Sequence, residues 1–205
     1  LDNEIAPVFA RQRTGYRPIV TTNQYEIQYG LHEHLELCDL LGAEPWVVFS
    51  VSYSTQETRN LIEYLAGPAS SPYGARRAAR GRSAPWTDAF ARIHLELGNE
   101  AWNEGDFGGA AIGNPTAYGN RGGEIYGAAR SSPYFNASKL DLVLGGQDGP
   151  TVRNEEIHAA SSNNDTLAVG PYLQLEVNSF ATNEQLFGPL FAEPEMVSRS
   201  GYMRQ

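Results

Sequence analysis

The chain has 205 residues, 41% of them hydrophobic, and a net charge of −9, so it can bury one sizeable core, and its 21 glycines and 12 prolines predict many tight loops. The acidic balance excludes nucleic acid as an expected partner, because the one basic cluster, Arg76-Arg77 through Arg80 and Arg82, sits among Ala, Gly and Ser and reads as a solvated loop. The single cysteine, Cys38, excludes a disulfide framework or a multi-thiolate zinc site, and no run approaches the apolar length of a membrane helix.

Residues 1–29, with Pro7, Gly15 and Pro18, show no sustained period and read as an irregular arm or loop. Leu31 to Leu41 places apolar residues at 31, 35, 38 and 41, turns His32, Glu33, Glu36 and Asp39 away, and stops at Gly42, which predicts an amphipathic helix with Cys38 in a packing role. Pro45 to Ser52 is a nearly continuous apolar run rich in β-branched and aromatic residues, as expected of a strand buried on both faces. Ser54-Thr55-Gln56-Glu57 is a capping box opening a helix to about Ala66, which Gly67-Pro68 ends. Residues 67–90 read as a long Pro/Gly/Arg/Ser-rich connection bordering the site.

The next strand, at about 92–98, alternates Ile93, Leu95 and Leu97 with His94 and Glu96, and Gly98 lets the backbone bend where Asn99 and Glu100 emerge. A long loop follows, then a helix around Tyr118–Arg130 weakened by Gly122-Gly123, a strand at Leu140–Gly146, a helix at Val152–Ala160 and a strand from Thr166 to Tyr172. This alternation predicts an α/β fold with a parallel sheet. Nothing matches a Gly-rich phosphate loop, whereas polar residues gather at strand ends as a (β/α)₈ barrel requires: Ser50 and Ser52, Asn99 and Glu100, Gln147 and Asp148, and Tyr172. Four strands in a chain shorter than the about 250 residues of such a barrel predict a single incomplete barrel domain over 1–205, a partial (β/α)₈ TIM barrel.

A carboxyl group at a strand end beside an amide and an aromatic ring suits general acid/base chemistry on a sugar. Glu100 is the candidate acid/base, the alternative for the bare dipeptide being a strand-terminal Asn99-Glu100 that only caps the next helix, and Trp102 stacks on a sugar face or packs the barrel mouth. Glu96 shares the parity of Glu100 and reads as a buried structural carboxylate needing a partner such as an Arg; His94 reads as an interior polar contact. His32 and His34, at i and i+2, do not share a helix face, so no metal site is expected, and no cofactor motif is present.

Tyr29 to Cys38, Leu41-Gly42-Ala43-Glu44-Pro45, Glu63-Tyr64 with Gly67-Pro68, and Glu96-Leu97-Gly98-Asn99-Glu100 occur in the order and spacing of landmarks in the α-L-arabinofuranosidases of glycoside hydrolase family 51. The resemblance is good over about residues 29–105, looser to Tyr172, and implies that the strands present are about 3 to 6 of a retaining clan A barrel. It implies that Glu100, at the end of strand four, is the general acid/base and that Asn99 binds the sugar 2-hydroxyl. Tyr172 matches the strand-six position whose hydroxyl contacts the nucleophile, although a purely packing Tyr is an open alternative. The nucleophile, at the end of strand seven, would then lie beyond Gln205. Glu176 follows Tyr172 too closely to leave room for a crossover helix, and Glu193 and Glu195 lack a strand period.

The expected partner is therefore an oligo- or polysaccharide with terminal arabinofuranosyl residues, with Ser50, Asn99, Trp102 and Tyr172 as substrate-binding candidates. A β-xylosidase or endo-glucanase of the same clan, and a non-catalytic carbohydrate-binding barrel, remain alternatives. The sequence leaves the oligomeric state open, and the location as well: cytoplasmic or secreted.

Overall fold

A computed structural model describes residues 1–11, 15–16, 25–26, 29–101, 111–146, 151–169 and 182. Four parallel strands form the main sheet: β3 (Trp46–Phe49), β4 (Ile93–Leu97), β5 (Leu140–Gly146) and β6 (Thr166–Val169), hydrogen-bonded in the order β3-β4-β5-β6. A two-residue antiparallel ribbon, β1 (Gly15–Tyr16) with β2 (Tyr25–Glu26), lies apart from it. Strictly sequential order is barrel-like, since a doubly wound sheet reverses direction at its switch point. Between the strands run α2 (Thr55–Ala66) and α3 (Pro72–Ala79), then α4 (Pro115–Arg130), then α5 (Thr151–Ala160); α1 (Leu31–Leu41) precedes β3.

The helix boundaries follow local chemistry. Gly42 ends α1 at φ 65, with the Ala43 N–H donating to the Cys38 carbonyl, and Leu31, Leu35 and Cys38 are buried. Ser54 Oγ accepts from the Glu57 N–H at 3.1 Å while the Glu57 carboxylate takes the Ser54 N–H at 2.9 Å, closing the capping box of α2. Asn114 caps α4 with Pro115 in its first turn. The glycines of α4 permit close packing: a Cβ on Gly119 would stand 2.4 Å from the Ile157 carbonyl oxygen of α5, and one on Gly122 2.8 Å from a Leu144 methyl of β5.

One face of the sheet, carrying Val47, Phe49, Ile93, Leu95, Leu97, Leu140, Leu142 and Leu144, is buried in the core. On the other face Trp46, His94 and Asp141 stand in register, followed by Val48, Glu96, Val143 and Thr166. Within this chain Val47 and Phe49 are buried under the helices, whereas Trp46 and Val48, on the opposite face, are 43% and 46% exposed, so the burial on both faces that the composition suggested is seen here on one face only.

Other expectations fail as well. The 67–90 connection contains a full helix, α3, whose N-cap Ser71 and first-turn Pro72 are standard start signals. It enters β4 at the N-terminal end of that strand, so it lies at the opposite end of β4 from Glu100 and does not border it. Its arginines are not a solvated cluster. Arg77 is completely buried and donates to the carbonyls of Tyr64 (2.7 Å), Gly67 (2.7 Å), Ser83 (3.1 Å) and Arg82 (3.2 Å). Arg80 and Arg11 pinch the Glu33 carboxylate at 2.6 and 2.9 Å, and Arg82 lies over the Trp86 ring. His32 likewise turns inward rather than to solvent: it is buried between Tyr64, whose hydroxyl is 2.5 Å from Nδ1, and the edge of Trp86.

Residues 1–11 rest on this scaffold, with Leu1 and Ile5 in the core and the Glu4 carbonyl accepting from the Leu31 N–H at 3.1 Å. Among the described residues, no helix is long and apolar enough to cross a membrane.

Candidate active site

The C-terminal ends of β3 and β4 are adjacent and are tied by the Gly98 N–H donating to the Phe49 carbonyl at 2.7 Å. Ser50 follows β3 directly. Its hydroxyl lies 2.8 Å from that of Ser52 and accepts the Ser52 N–H at 3.2 Å, while the Tyr53 N–H closes the turn onto the Ser50 carbonyl. Arg121 of α4 braces this turn by donating to the carbonyls of Val51 (3.0 Å) and Tyr53.

At the end of β4 the backbone makes an unusual path. Gly98 has φ 73, and a Cβ there would stand 2.8 Å from both the Ala101 Cβ and a Val51 methyl, so glycine is required on two counts. Two residues on, Glu100 has φ 46, the one non-glycine residue in the left-handed region among the described residues. Such a conformation costs on the order of 1 kcal/mol or more and concentrates at functional sites, where the surrounding structure holds it. Asn99 is exposed and Glu100 half-buried, so both side chains stand at the mouth of the sheet rather than in its core.

Below them, Glu96 lies half-buried on the same face as Trp46. Its partner is not an arginine: Oε2 accepts the Trp46 indole N–H at 2.6 Å, a contact spanning fifty residues that local sequence does not announce. Burial raises the proton affinity of Glu96 above the usual carboxylate range, the indole hydrogen bond opposes that, and the negative charge of Glu100 adds to it. Gly145 of β5 leaves room for this carboxyl, since a Cβ there would be 3.1 Å from Oε1. The Tyr118 hydroxyl of α4 links the strands by donating to the Leu97 carbonyl at 2.7 Å and accepting the Gly145 N–H at 3.2 Å.

His94 makes an interior polar contact: Nδ1 is 2.7 Å from Asp141 Oδ2, and the ring stacks on Trp46 at 5.0 Å. The structure thus brings Ser50, Asn99 and Glu100 to neighbouring strand ends, with Glu96 as the carboxyl that sequence reasoning assigned to structure alone. Trp102 and Tyr172, like Gln147, Asp148, Glu176, Glu193 and Glu195, lie outside the described residues.

The fold is that of the α-L-arabinofuranosidase barrels. The chain superposes over 97% of its length on the GH51 arabinofuranosidase of Xanthomonas axonopodis pv. citri (TM-score 0.72, 18% identity, 40% of that chain). Over the same share it superposes on a family 51 α-L-arabinofuranosidase of Bifidobacterium longum (TM-score 0.73, 16% identity, 39% of that chain). Sequence fixes the membership: residues 2–111 match the alpha-L-arabinofuranosidase 1 domain, and the chain belongs to that family. It is 33% identical over 95 residues to an intracellular exo-alpha-L-arabinofuranosidase of Bacteroides ovatus, covering 43% of this chain and 18% of the relative. It is 26% identical over 125 residues to alpha-L-arabinofuranosidase C of Emericella nidulans, covering 60% and 23%. The chain therefore spans about a fifth of these curated relatives and two fifths of the solved structures.

Proposed function

We propose that this chain is the acid/base-bearing part of a single incomplete (β/α)₈ catalytic domain, in a retaining glycoside hydrolase that releases terminal α-L-arabinofuranosyl residues. The observation that supports it best is the backbone of Gly98-Asn99-Glu100: a carboxyl carried out of β4 on a left-handed residue, inside the stretch that matches the family. In this reading Glu100 protonates the glycosidic oxygen as the C–O bond breaks, and a second carboxylate, supplied from outside these 205 residues, attacks the anomeric carbon. Glu100, now ionised, then takes a proton from the water that hydrolyses the glycosyl ester.

In this reading Asn99 hydrogen-bonds the sugar 2-hydroxyl, an interaction that strengthens as the oxocarbenium-like transition state develops. Ser50, on the neighbouring strand end, offers a further hydroxyl to the ring. Trp102 and Tyr172 complete the substrate-binding set in this proposal. The complete protein containing this chain, assayed on nitrophenyl α-L-arabinofuranoside and β-D-xyloside, is expected to prefer the arabinofuranoside by at least tenfold in kcat/KM. A reversed preference would assign the β-xylosidase reading, and no turnover of either glycoside together with measurable sugar binding would assign the non-catalytic one.

A further inference from the structure

Between β3 and the N-cap of α2, residues 50–53 leave the ladder of the sheet, so their carbonyls need other donors. Two of these carbonyls, on Val51 and Tyr53, are taken by one side chain about seventy residues away: Arg121 of α4, whose Nε donates to Val51 at 3.0 Å and whose Nη2 donates to Tyr53. The third nitrogen, Nη1, donates to the Glu124 carboxylate one turn along the same helix at 2.5 Å, so the planar fork is held from its own helix as well. The helix is a firm base for this reach, because Gly119 and Gly122 lie too close to Ile157 and Leu144 to carry a side chain. The braced turn in turn touches the bend after β4. Val51 is buried, and one of its methyls lies 2.8 Å from where a Cβ on Gly98 would stand; the Ala101 Cβ meets the same point at the same distance. Gly98 and Ala101 thus close on each other beside Val51, and Asn99 and Glu100 form the tip between them.

We propose that Arg121 is a positioning residue for the reaction: it fixes the turn at 50–53, so that Val51 holds the bend carrying Glu100 while Ser50 keeps its place on the neighbouring strand end. This rests on the assignment of Glu100 as acid/base. Arg121 supplies nothing to the reacting atoms, since its guanidinium is committed to two carbonyls and a carboxylate. Without it the carbonyls of Val51 and Tyr53 lose a charged donor and the turn relaxes towards water. The bend then loses the surface that holds it, and with φ 46 at Glu100 it persists only where its surroundings impose it. A general acid must stand within hydrogen-bond reach of the leaving oxygen, and a displacement of about 1 Å costs on the order of 10²-fold in rate.

A purely structural brace would change the fraction folded and lower every rate by one factor, whereas a misplaced acid is missed most where the leaving group needs its proton. In the complete protein, Arg121→Met is expected to lose on the order of 10²-fold in kcat/KM on an arabino-oligosaccharide and under about fivefold on an aryl arabinofuranoside with an activated phenol. Arg121→Lys, which returns a cationic donor to the turn without the fork, recovers part of the oligosaccharide activity. Should Arg121→Met not fold, Val51→Ala takes its place: it leaves the fork intact and removes the methyl that meets the bend, and the same selective loss is expected. Equal losses on the two substrates, or no loss, in the variant used overturn the proposal. Glu100→Gln is measured in parallel. If it does not separate the substrates, or the wild type turns over neither, the acid/base assignment falls and the role of Arg121 with it. A selective loss in Glu100→Gln beside an unselective one in Arg121→Met refutes the role of Arg121 alone.

Discussion

Replacing Arg77 tests whether the segment between α2 and β4 is an organised element or a solvated loop. The guanidinium is buried, has no carboxylate partner among the described residues, and donates to the carbonyls of Tyr64, Gly67, Arg82 and Ser83, thereby joining the C-terminal end of α2 to the segment after α3. Hydrogen bonds from a charged donor contribute about 1.5–3 kcal/mol each, so four of them bring at least about 6 kcal/mol. Relief of the several kcal/mol spent on desolvating the cation offsets part of this when the residue is removed, leaving a net loss of about 3–4 kcal/mol for Arg77→Met. At about 2–4 °C per kcal/mol for a chain of this size, Tm falls by about 10 °C. Arg77→Lys, which keeps the charge and loses the fork, is expected to lose about half as much. Thermal melts followed by circular dichroism measure both, and because the site is buried the loss should persist at 1 M salt. A change below about 0.5 kcal/mol for Arg77→Met, the value for an exposed substitution, would refute this reasoning.

Three other outcomes follow from the same structure. Burial raises the proton affinity of Glu33, but a backbone N–H and the guanidiniums of Arg80 and Arg11 outweigh it and hold the carboxyl at about 2 against an ordinary 4.5; a depressed carboxylate stabilises the fold above its unfolded value, so about 3 kcal/mol should be lost as pH falls from about 4.5 to 2, and urea midpoints that stay flat for the wild type relative to Glu33→Gln over that window would contradict it. Gly119→Ala should destabilise by about 2 kcal/mol or more despite alanine's better helix propensity, because the new methyl meets the Ile157 carbonyl; a gain in Tm would show that α4 and α5 are not so closely packed. Glu100→Gly should raise Tm by a few degrees, about 1 kcal/mol of relief from the left-handed backbone, while abolishing turnover; a fall in Tm would mean that the Glu100 side chain stabilises the fold more than its backbone strains it.

Much of this architecture was readable from local signals. The apolar spacing of Leu31, Leu35 and Cys38 with the stop at Gly42, the Ser54–Glu57 box, and the runs at Ile93–Leu97 and Leu140–Gly146 each encode an element within its own residues. The bend at Gly98 that carries Asn99 and Glu100 off the strand was legible for the same reason. What was not legible depends on distant partners. Arg77 is charged in the sequence and buried in the fold because carbonyls 5 to 13 residues away converge on it, and His32 turns inward to meet Tyr64 and Trp86. Ser71-Pro72 marks a helix start that the surrounding Gly, Arg and Ser obscured. The pairing of Glu96 with Trp46 arises only when β3 and β4 come into register.

The central claim is that Glu100 donates the proton to the leaving group. Its most direct test is the leaving-group dependence of Glu100→Gln in the complete protein, compared on an aryl arabinofuranoside with an activated phenol and on an arabino-oligosaccharide. The account predicts a loss of at least about 10³-fold in kcat/KM on the oligosaccharide, a far smaller loss on the activated aryl glycoside, and rescue of the latter by azide, which needs no general base to attack. Equal losses on both substrates, or full activity on the oligosaccharide, would contradict it.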